Sequence, residues 1–380
     1  MTKKEYILKH NDDPVLEFTI DTISKFVDYI HLFDDKFSPI NSKSSEGGKI
    51  VSFNNWLNNR CISDTRDGTE YLKKYNINNL KELMILQYGL SLSDHYWIDR
   101  KPFNHQWKDI NLFENRYNDV IGNILFDKNF KLVENIEHIK GTSPDITTGG
   151  NLKKRWIYNE DDSKSYLIKG SSKIYKQEPF NEYFAHLLLD EIKFDHTYYN
   201  IKKYGDEYAS ICPCISDINT EMVSADDLRR KYGFEKSYEA LISFGQEQGC
   251  TGFVDSVNKM IIADFMIDNT DRHWNNFGIL RDAVSGAWLG MIPLFDNGYS
   301  LWNNDFINND IYSESQSFKD YNIDNMNYVN MSNYVETIPN MTDLFDKAFE
   351  KYDNEERKNQ LRNGISIKQD ELKKYLERQR

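Results

Sequence analysis

The sequence predicts an α+β chain of two lobes, the first strand-rich and the second helical, behind an N-terminal α/β accessory region. Three observations predict it. Residues 132–215 carry apolar patterns in the succession β-β-α-β-β. From Ser216 onward helical periodicity dominates. Residues 1–131 hold a hairpin, a helical stretch and an aromatic-rich segment of their own. The expected boundaries are therefore 1–131, 132–215 and 216–380.

In the accessory region, Tyr6–Lys9 and Val15–Ile20 alternate apolar and polar residues around Asn11-Asp12-Asp13-Pro14, a strand pair with its turn. Residues Phe37–Lys49 shift to Ser, Gly, Lys and Asn, the composition of a surface loop. From Phe53 to about Gly89 the pattern is mainly helical, with Leu80, Leu83, Met84 and Tyr88 at helical spacing. Aromatic residues then gather between Tyr96 and Phe130, among them Trp97, Phe103 and Trp107, the pattern of core or domain packing.

In the next region, Lys154–Tyr158 and Ser165–Lys169 form two strands around the acidic turn Asn159–Ser163. Pro179 marks a helix start, where its missing N–H costs nothing. Phe180, Phe184, Leu187, Leu188 and Ile192 give that helix one apolar face. A second strand pair follows at Tyr198–Tyr204 and Tyr208–Ile215. In the helical lobe, Val254, Val257, Ile261 and Phe265 form the stripe of a helix leading into a polar loop. Ile365–Arg380 is a charged amphipathic helix.

Composition bounds the function. With 39% hydrophobic and 14% aromatic residues, the chain can bury a sizeable core and is not disordered. A net charge of −13 argues against a general nucleic-acid binder, which shows a basic face, so no direct nucleic-acid contact is expected. Four scattered cysteines make no disulfide framework and are read as reduced thiols. The N-terminus lacks the apolar run of a signal peptide, and no stretch is long and apolar enough to span a membrane. A cytoplasmic location without membrane contact is expected.

The chemistry lies in two segments. Residues 269–278 read Asn-Thr-Asp-Arg-His-Trp-Asn-Asn-Phe-Gly, and Leu-Phe-Asp-Asn-Gly follows at 294–298 after a short expected hairpin. Asp271 and Asn276 have the D-x-x-x-x-N spacing of a kinase catalytic loop, and Asp296 stands where a second metal-binding carboxylate belongs. Phosphoryl transfer needs a carboxylate to orient the attacking hydroxyl and oxygen ligands to hold Mg²⁺ on the phosphates. Asp271 is thus the candidate base, and Asn276 and Asp296 are the candidate metal ligands. His273, beside the base, is a candidate for bracing the loop or touching the transferred phosphate. Asn269 is a candidate brace.

Lys169 ends an apolar strand, a position from which a lysine pairs with nucleotide phosphates. Its expected carboxylate partner is Glu182, one turn into the Pro179 helix, while Glu178 suits the helix N-terminus. The stretch 141–153 is a candidate phosphate-covering loop. Thr147, Thr148, Gly149 and Gly150 supply hydroxyls and close backbone approach, and Lys153 adds charge. Ile211–Ile215, with Cys212 and Cys214, sits where a hinge would offer backbone groups to adenine.

These residues resemble the HipA-like serine/threonine kinases, bacterial relatives of the toxin half of toxin–antitoxin pairs. The resemblance rests on Asn-Thr-Asp-Arg-His-x-x-Asn-Phe-Gly at 269–278 with Phe295-Asp296. It rests also on Leu167-Ile-Lys169-Gly with Asn181-Glu182-Tyr-Phe, and it covers roughly residues 140–310. It implies a two-lobed protein-kinase-like fold, ATP and Mg²⁺, and transfer to a protein hydroxyl. It further implies Asp271 as catalytic aspartate, Asn276 and Asp296 as metal ligands, Lys169 on the ATP phosphates, and an antitoxin-like partner beside an unidentified protein substrate.

The chain departs from the family in two places. The toxins' compact N-terminal subdomain is left unassigned to residues 1–130. Their autophosphorylated serine has no counterpart in context, Ser143, Thr147 and Thr148 being the nearest hydroxyls. Asp-Arg-His-x-x-Asn also resembles the catalytic loop of phosphoinositide kinases, so a small-molecule or lipid hydroxyl is the alternative acceptor. A catalytically silent ATP-binding module is the second alternative.

Overall fold

The computed structural model describes residues 3–131, 141–303, 317–318 and 325–380. The expected boundary at Leu132 lies outside these residues. The chain divides into two compact units. The first comprises Met1–Ile168, Cys214–Phe234 and Leu280–Trp288, and the second Lys169–Pro213, Glu235–Ile279 and Leu289–Arg380.

From the N-terminus, β1 (Lys3–His10) and β2 (Asp13–Asp21) form the expected hairpin, with Asn11 left-handed at φ 51° in the turn. β3 (Val27–Leu32) pairs with β2. α1 (Glu46–Arg60) starts inside the stretch expected to be loop. Ser45 accepts a hydrogen bond from the Gly48 N–H, so the end of the small polar run is a helix cap. α2 (Thr69–Leu72) and α3 (Leu80–Leu86, capped by Asn79) complete the expected helical stretch. β4 (Tyr96–Arg100) pairs with β1 and closes a four-stranded sheet of order β3-β2-β1-β4. Short helices α4 (Trp107–Ile110) and α5 (Val120–Phe126) precede β5 (Lys154–Asn159) and β6 (Lys164–Lys169), the expected strand pair.

α6 (Glu178–Glu191) carries Pro179 in its first turn, as expected. β7 (Asn200–Tyr204) and β8 (Glu207–Pro213) make an antiparallel hairpin. Both are shorter than expected: Tyr198 is exposed ahead of β7, and β8 stops at Pro213. Along the rest of the chain come β9 (Thr220–Ser224), α7 (Ala225–Tyr232), α8 (Tyr238–Glu247) and α9 (Phe253–Ile267). β10 (Gly278–Asp282), β11 (Trp288–Met291), α10 (Met341–Ala348) and α11 (Glu355–Gln379) follow. β9 departs from the expected helical pattern, whereas β10 and β11 fall between the 269–278 loop and Asp296, where a short hairpin is expected. At 5 residues β9 is too short to show against helical periodicity. α11 also begins ten residues ahead of Ile365, where Asn354 accepts from the Arg357 N–H. No described helix is long and apolar enough to cross a membrane.

In the first unit, one face of the sheet packs Leu8, Phe18 and Ile98 with Phe53 and Leu57 of α1 and Met84 of α3. Most of the aromatic stretch is core, as expected: Trp97 and Trp107 cluster with Trp156, Leu90 and Leu112. Phe103 is the exception, at 59% exposure. A buried polar network runs beside this core. Glu221 on β9 accepts from Arg281 Nε (2.7 Å) and meets His10 Nε2 (2.9 Å), and Arg281 also donates to the Tyr96 hydroxyl (3.0 Å). Burial alone would raise the Glu221 carboxyl, but the His10 hydrogen bond and the Arg281 charge bring it down to about 2.

In the second unit, Phe180 and Phe184 of α6 meet Phe345 and Phe349 of and after α10. α9 is buried nearly all round from Val257 to Ile267, so it is the central helix of this unit. Its C-terminus is therefore a fixed platform for the loop that follows.

Candidate active site

α9 ends where Asp268 adopts the left-handed conformation (φ 57°), and the chain turns into the polar loop 269–277. The loop is braced from within. The Asn269 amide donates to Asp264 Oδ1 (3.0 Å) and its Oδ1 accepts from the Asp271 N–H (3.2 Å). The Asn276 amide nitrogen donates back to the Asp271 carbonyl (3.1 Å), and the His273 N–H donates to the same carbonyl (2.8 Å). The Asp271 side chain is half-buried, Asn276 is buried and His273 is exposed, its Nδ1 accepting from the Asn275 N–H (3.3 Å). Trp274 anchors the tip by donating to the Ser317 carbonyl (2.5 Å) and packing on Phe277 and Phe318.

Arg272 lies under this loop with no solvent exposure. Its guanidinium holds Asp264 of α9 (2.9 Å), equally buried, and donates to the carbonyls of Asn276 (3.0 Å) and Phe295 (2.5 Å) and to Asn297 Oδ1 (2.5 Å). One planar fork thus ties α9, the 269–277 loop and the 295–297 segment together, a task for which five fixed donors suit arginine and not lysine. Burial alone would lower its pKa, but the Asp264 charge outweighs that and raises it.

The 295–303 segment is strapped to the start of α6. The Asn181 amide donates to the carbonyls of Gly298 (2.8 Å) and Ser300 (2.7 Å), and Gln177 donates to that of Leu301 (3.0 Å). Glu178 accepts from the Asn303 amide (3.2 Å). Asp296, at φ 59°, is thereby turned against the end of β6.

There Lys169 Nζ donates to Asp296 Oδ1 (2.7 Å), Glu182 Oε1 (2.9 Å) and the Tyr199 hydroxyl (3.2 Å). Glu182 also accepts from the Asn297 N–H (3.0 Å), and the Asp296 N–H donates to Tyr199 (3.1 Å). Lys169 and Glu182 are buried, whereas the Asp296 side chain keeps 30% exposure. Burial alone would lower the ammonium, but the Asp296 and Glu182 carboxylates hold it well above the ordinary lysine range. The cluster is a fully charged lysine between two carboxylates.

Cys212 lies beside it, buried, its thiol pushed up to about 11 mainly by that burial, so it is inert. Cys214 belongs to the first unit, where its thiol donates to the Leu92 carbonyl (3.3 Å).

The 141–153 stretch is likewise in the first unit. Pro144–Thr147 forms one turn of 3₁₀ helix, and the threonine hydroxyls beside it are already engaged. Thr147 donates to the Leu90 carbonyl (2.7 Å) and Thr148 to that of Pro144 (2.8 Å). The buried Asp145 carboxylate accepts from the Trp156 N–H (2.8 Å) and Ser143 (3.0 Å), and burial raises it to about 6. Gly149 accepts at its carbonyl from Lys154 (3.0 Å), Gly150 is left-handed at φ 92°, and Lys153 stacks over Phe126 (5.3 Å).

Sequence reasoning missed Tyr199, Asp264 and Asn297. Tyr199 has no local motif. Asp264 had a signal: it is a lone acid in the apolar run Met260–Ile267, and such a residue is buried with a partner.

A two-unit α+β chain with a strand-borne lysine, a carboxylate on the next helix and a braced polar loop after a central helix defines a kinase-like class of fold. Among solved structures, HipA shares that fold. The HipA of Shewanella oneidensis MR-1, determined with HipB and its operator DNA as a toxin–antitoxin system, matches 98% of this chain and 97% of its own. Its TM-score is 0.55 at 12% identity. The proinflammatory kinase CtkA of Helicobacter pylori matches 59% of this chain and 92% of its own, with TM-score 0.47 and 16% identity. No protein-family model and no curated protein sequence matches the chain. The expected two-lobed, HipA-like fold is thus borne out as a fold.

Proposed function

We propose that the chain is an ATP- and Mg²⁺-dependent kinase of the HipA type that phosphorylates a serine or threonine hydroxyl of a protein. The observation that carries the reading is Lys169, held at 2.9 Å from Glu182 and 2.7 Å from Asp296 beside a braced Asp271–Asn276 loop. A structural ion pair needs one carboxylate. A lysine placed between two, one of them partly exposed, has a second partner that can be exchanged.

The donor set fits the group. Asp296 offers a carboxylate with solvent access, and the Asn276 amide nitrogen is already committed to Asp271, which leaves Oδ1 as its ligating end. Both are the hard oxygen donors that Mg²⁺ takes. Bound Mg-ATP supplies the electrophilic phosphoryl group. In this reading Lys169 binds the phosphates, Glu182 orients Lys169, and Asn276 and Asp296 hold the cation. Asp271 orients the acceptor hydroxyl and takes its proton. His273, exposed beside Asp271, contributes to phosphate or substrate contact. Of the other expected nucleotide contacts, Cys212 lies in the second unit with these residues, whereas Thr147, Thr148, Gly149, Gly150, Lys153 and Cys214 belong to the first unit. A HipB-like partner is proposed from the HipA complex.

Autophosphorylation at Thr147 or Thr148 would have to break the bonds that fold the loop, and Ser143 is buried on Asp145. Intact mass after incubation with ATP tests it; an unchanged mass refutes it. Transfer of labelled phosphate to proteins of a lysate tests the main proposal. Asp271→Asn is expected to keep nucleotide binding and lose transfer. Equal transfer by both proteins would refute the role of Asp271. Nucleotide binding by wild type with no transfer to any protein would leave the silent binding module.

A further inference from the structure

A cavity of about 270 Å³ opens in the first unit, between the β3-β2-β1-β4 sheet and helix α3. The pairing explains why it is there. Tyr6 lies opposite both Phe18 and Arg100, Lys4 opposite Ile20, and Leu8 opposite Ile98, so these side chains share one sheet face. α3 covers the far part of that face with Leu80 and Met84, both buried. It is only 7 residues long, and the near part of the face is left open.

The open part has an apolar floor and walls. Tyr6, Ile20 and Ile98 form the floor and are almost wholly buried. Ile85 and Leu86 stand on the α3 side, and Phe103 stands on the other, with Leu86 66% and Phe103 59% exposed. The rim is cationic. Lys4, Lys25, Lys81 and Arg100 line it, against Glu82 as the one lining carboxylate. That is the reverse of the chain as a whole, whose net charge is −13. His105 also faces the cavity, but its Nδ1 is held by Asp99 (2.9 Å).

We propose that this cavity binds a small amphiphilic anion: a compact aryl or alkyl body carrying one carboxylate or phosphate. The apolar floor takes the body and the basic rim takes the charge, the combination by which ligand pockets fix orientation. The size limits the ligand. An apolar cavity of roughly 150 Å³ holds one benzene, so this one holds a single compact molecule and not a folded peptide. Lys81 is the engaged member of the rim: its Nζ donates to Asn58 Oδ1 (3.0 Å) and lies over the Phe26 ring (5.6 Å).

The test is calorimetric titration of the full-length protein with octanoate, octyl phosphate and uncharged 1-octanol. Saturable one-site binding of octanoate or octyl phosphate is expected, tighter than 1-octanol, and the better of the two identifies the head group. Arg100→Glu, on an exposed side chain, is expected to weaken anion binding by about tenfold while leaving 1-octanol within about twofold. Ile85→Trp, which fills the cavity from the wall, is expected to abolish binding of all three, with an unchanged circular dichroism spectrum as the check on folding. No saturable binding of either anion at millimolar concentration would overturn the proposal. So would binding of 1-octanol as tight as that of the anions, or unchanged anion binding by both variants.

Discussion

Replacing Arg272 by alanine tests the organisation of the second unit most directly. Arg272 is fully buried and serves Asp264, Asn276, Phe295 and Asn297 at once. Without it, Asp264 loses the guanidinium in a site with no solvent, the Asn269 amide at 3.0 Å being a neutral donor. Removing one partner of a buried pair costs about 3–5 kcal/mol, because the other charge is left uncompensated. That is a large part of the roughly 5–15 kcal/mol that holds a typical domain together. Urea denaturation of Arg272→Ala should therefore show a midpoint far below wild type. Arg272→Met with Asp264→Leu removes both charges, and apolar replacement of a buried pair is close to neutral, so most of the stability should return. Phosphoryl transfer should not return, because Met donates nothing to the Asn276 and Phe295 carbonyls and the two loops lose their common anchor. A cost below about 1 kcal/mol for the single variant would refute the buried-pair argument. A double variant with wild-type transfer would show that Arg272 does not position the site.

Other perturbations have equally definite outcomes. Lys169→Met should abolish transfer and also destabilise the protein, since Glu182 is left buried without its cation; wild-type thermal stability would show that the Glu182 charge is not held there. Glu221→Gln should cost roughly 3–5 kcal/mol in denaturant unfolding, because Arg281 stays charged and 3% exposed; an unchanged midpoint would refute it. The Glu221 carboxyl is lower in the folded chain than its ordinary 4.5, at about 2, so its stabilisation is complete above pH 4.5 and is lost as pH falls towards 2. His186 has the opposite chemistry and the same direction. Its Nδ1 meets His196 Nε2 at 2.8 Å, and burial together with that neighbour lowers it from 6.5 to about 4. The unfolded chain takes up the proton first, so the midpoint should fall between pH 7 and pH 5, and His186→Gln should flatten that fall.

The legible parts of this chain are those in which type and spacing coincide. Lys169 was visible because it ends an apolar strand, and Glu182 because it sits one turn into a helix announced by Pro179. Their charged atoms lie 2.9 Å apart. The loops were visible because Asp271, Asn276 and Asp296 are chemically specific residues in a fixed order. What joins them was not visible. Tyr199, Asp264 and Asn297 act across 97, 8 and 25 residues on the groups they serve, and only Asp264 broke a local pattern. β9 was hidden for a different reason. A strand of 5 residues is defined by its neighbour, and pairing is not a local property.

The Lys169–Asp296 contact carries one more consequence, which rests on the proposed function. At 2.7 Å the two groups neutralise each other, so each is the other's competitor for an incoming partner. A nucleotide that recruits Lys169 must part it from Asp296, and the partly exposed aspartate then loses the Lys169 ammonium unless Mg²⁺ arrives with the phosphates. The nucleotide and the metal should therefore bind with positive coupling, and reciprocally so. Asp296→Asn removes the competitor and the metal ligand together. Titration with a non-hydrolysable ATP analogue should show tighter binding with Mg²⁺ than without it in wild type. In Asp296→Asn the metal-free affinity should rise and the effect of Mg²⁺ should largely disappear. If the variant binds the metal-free analogue more weakly than wild type, Asp296 does not restrain Lys169. If Mg²⁺ strengthens binding equally in both proteins, the cation is held elsewhere.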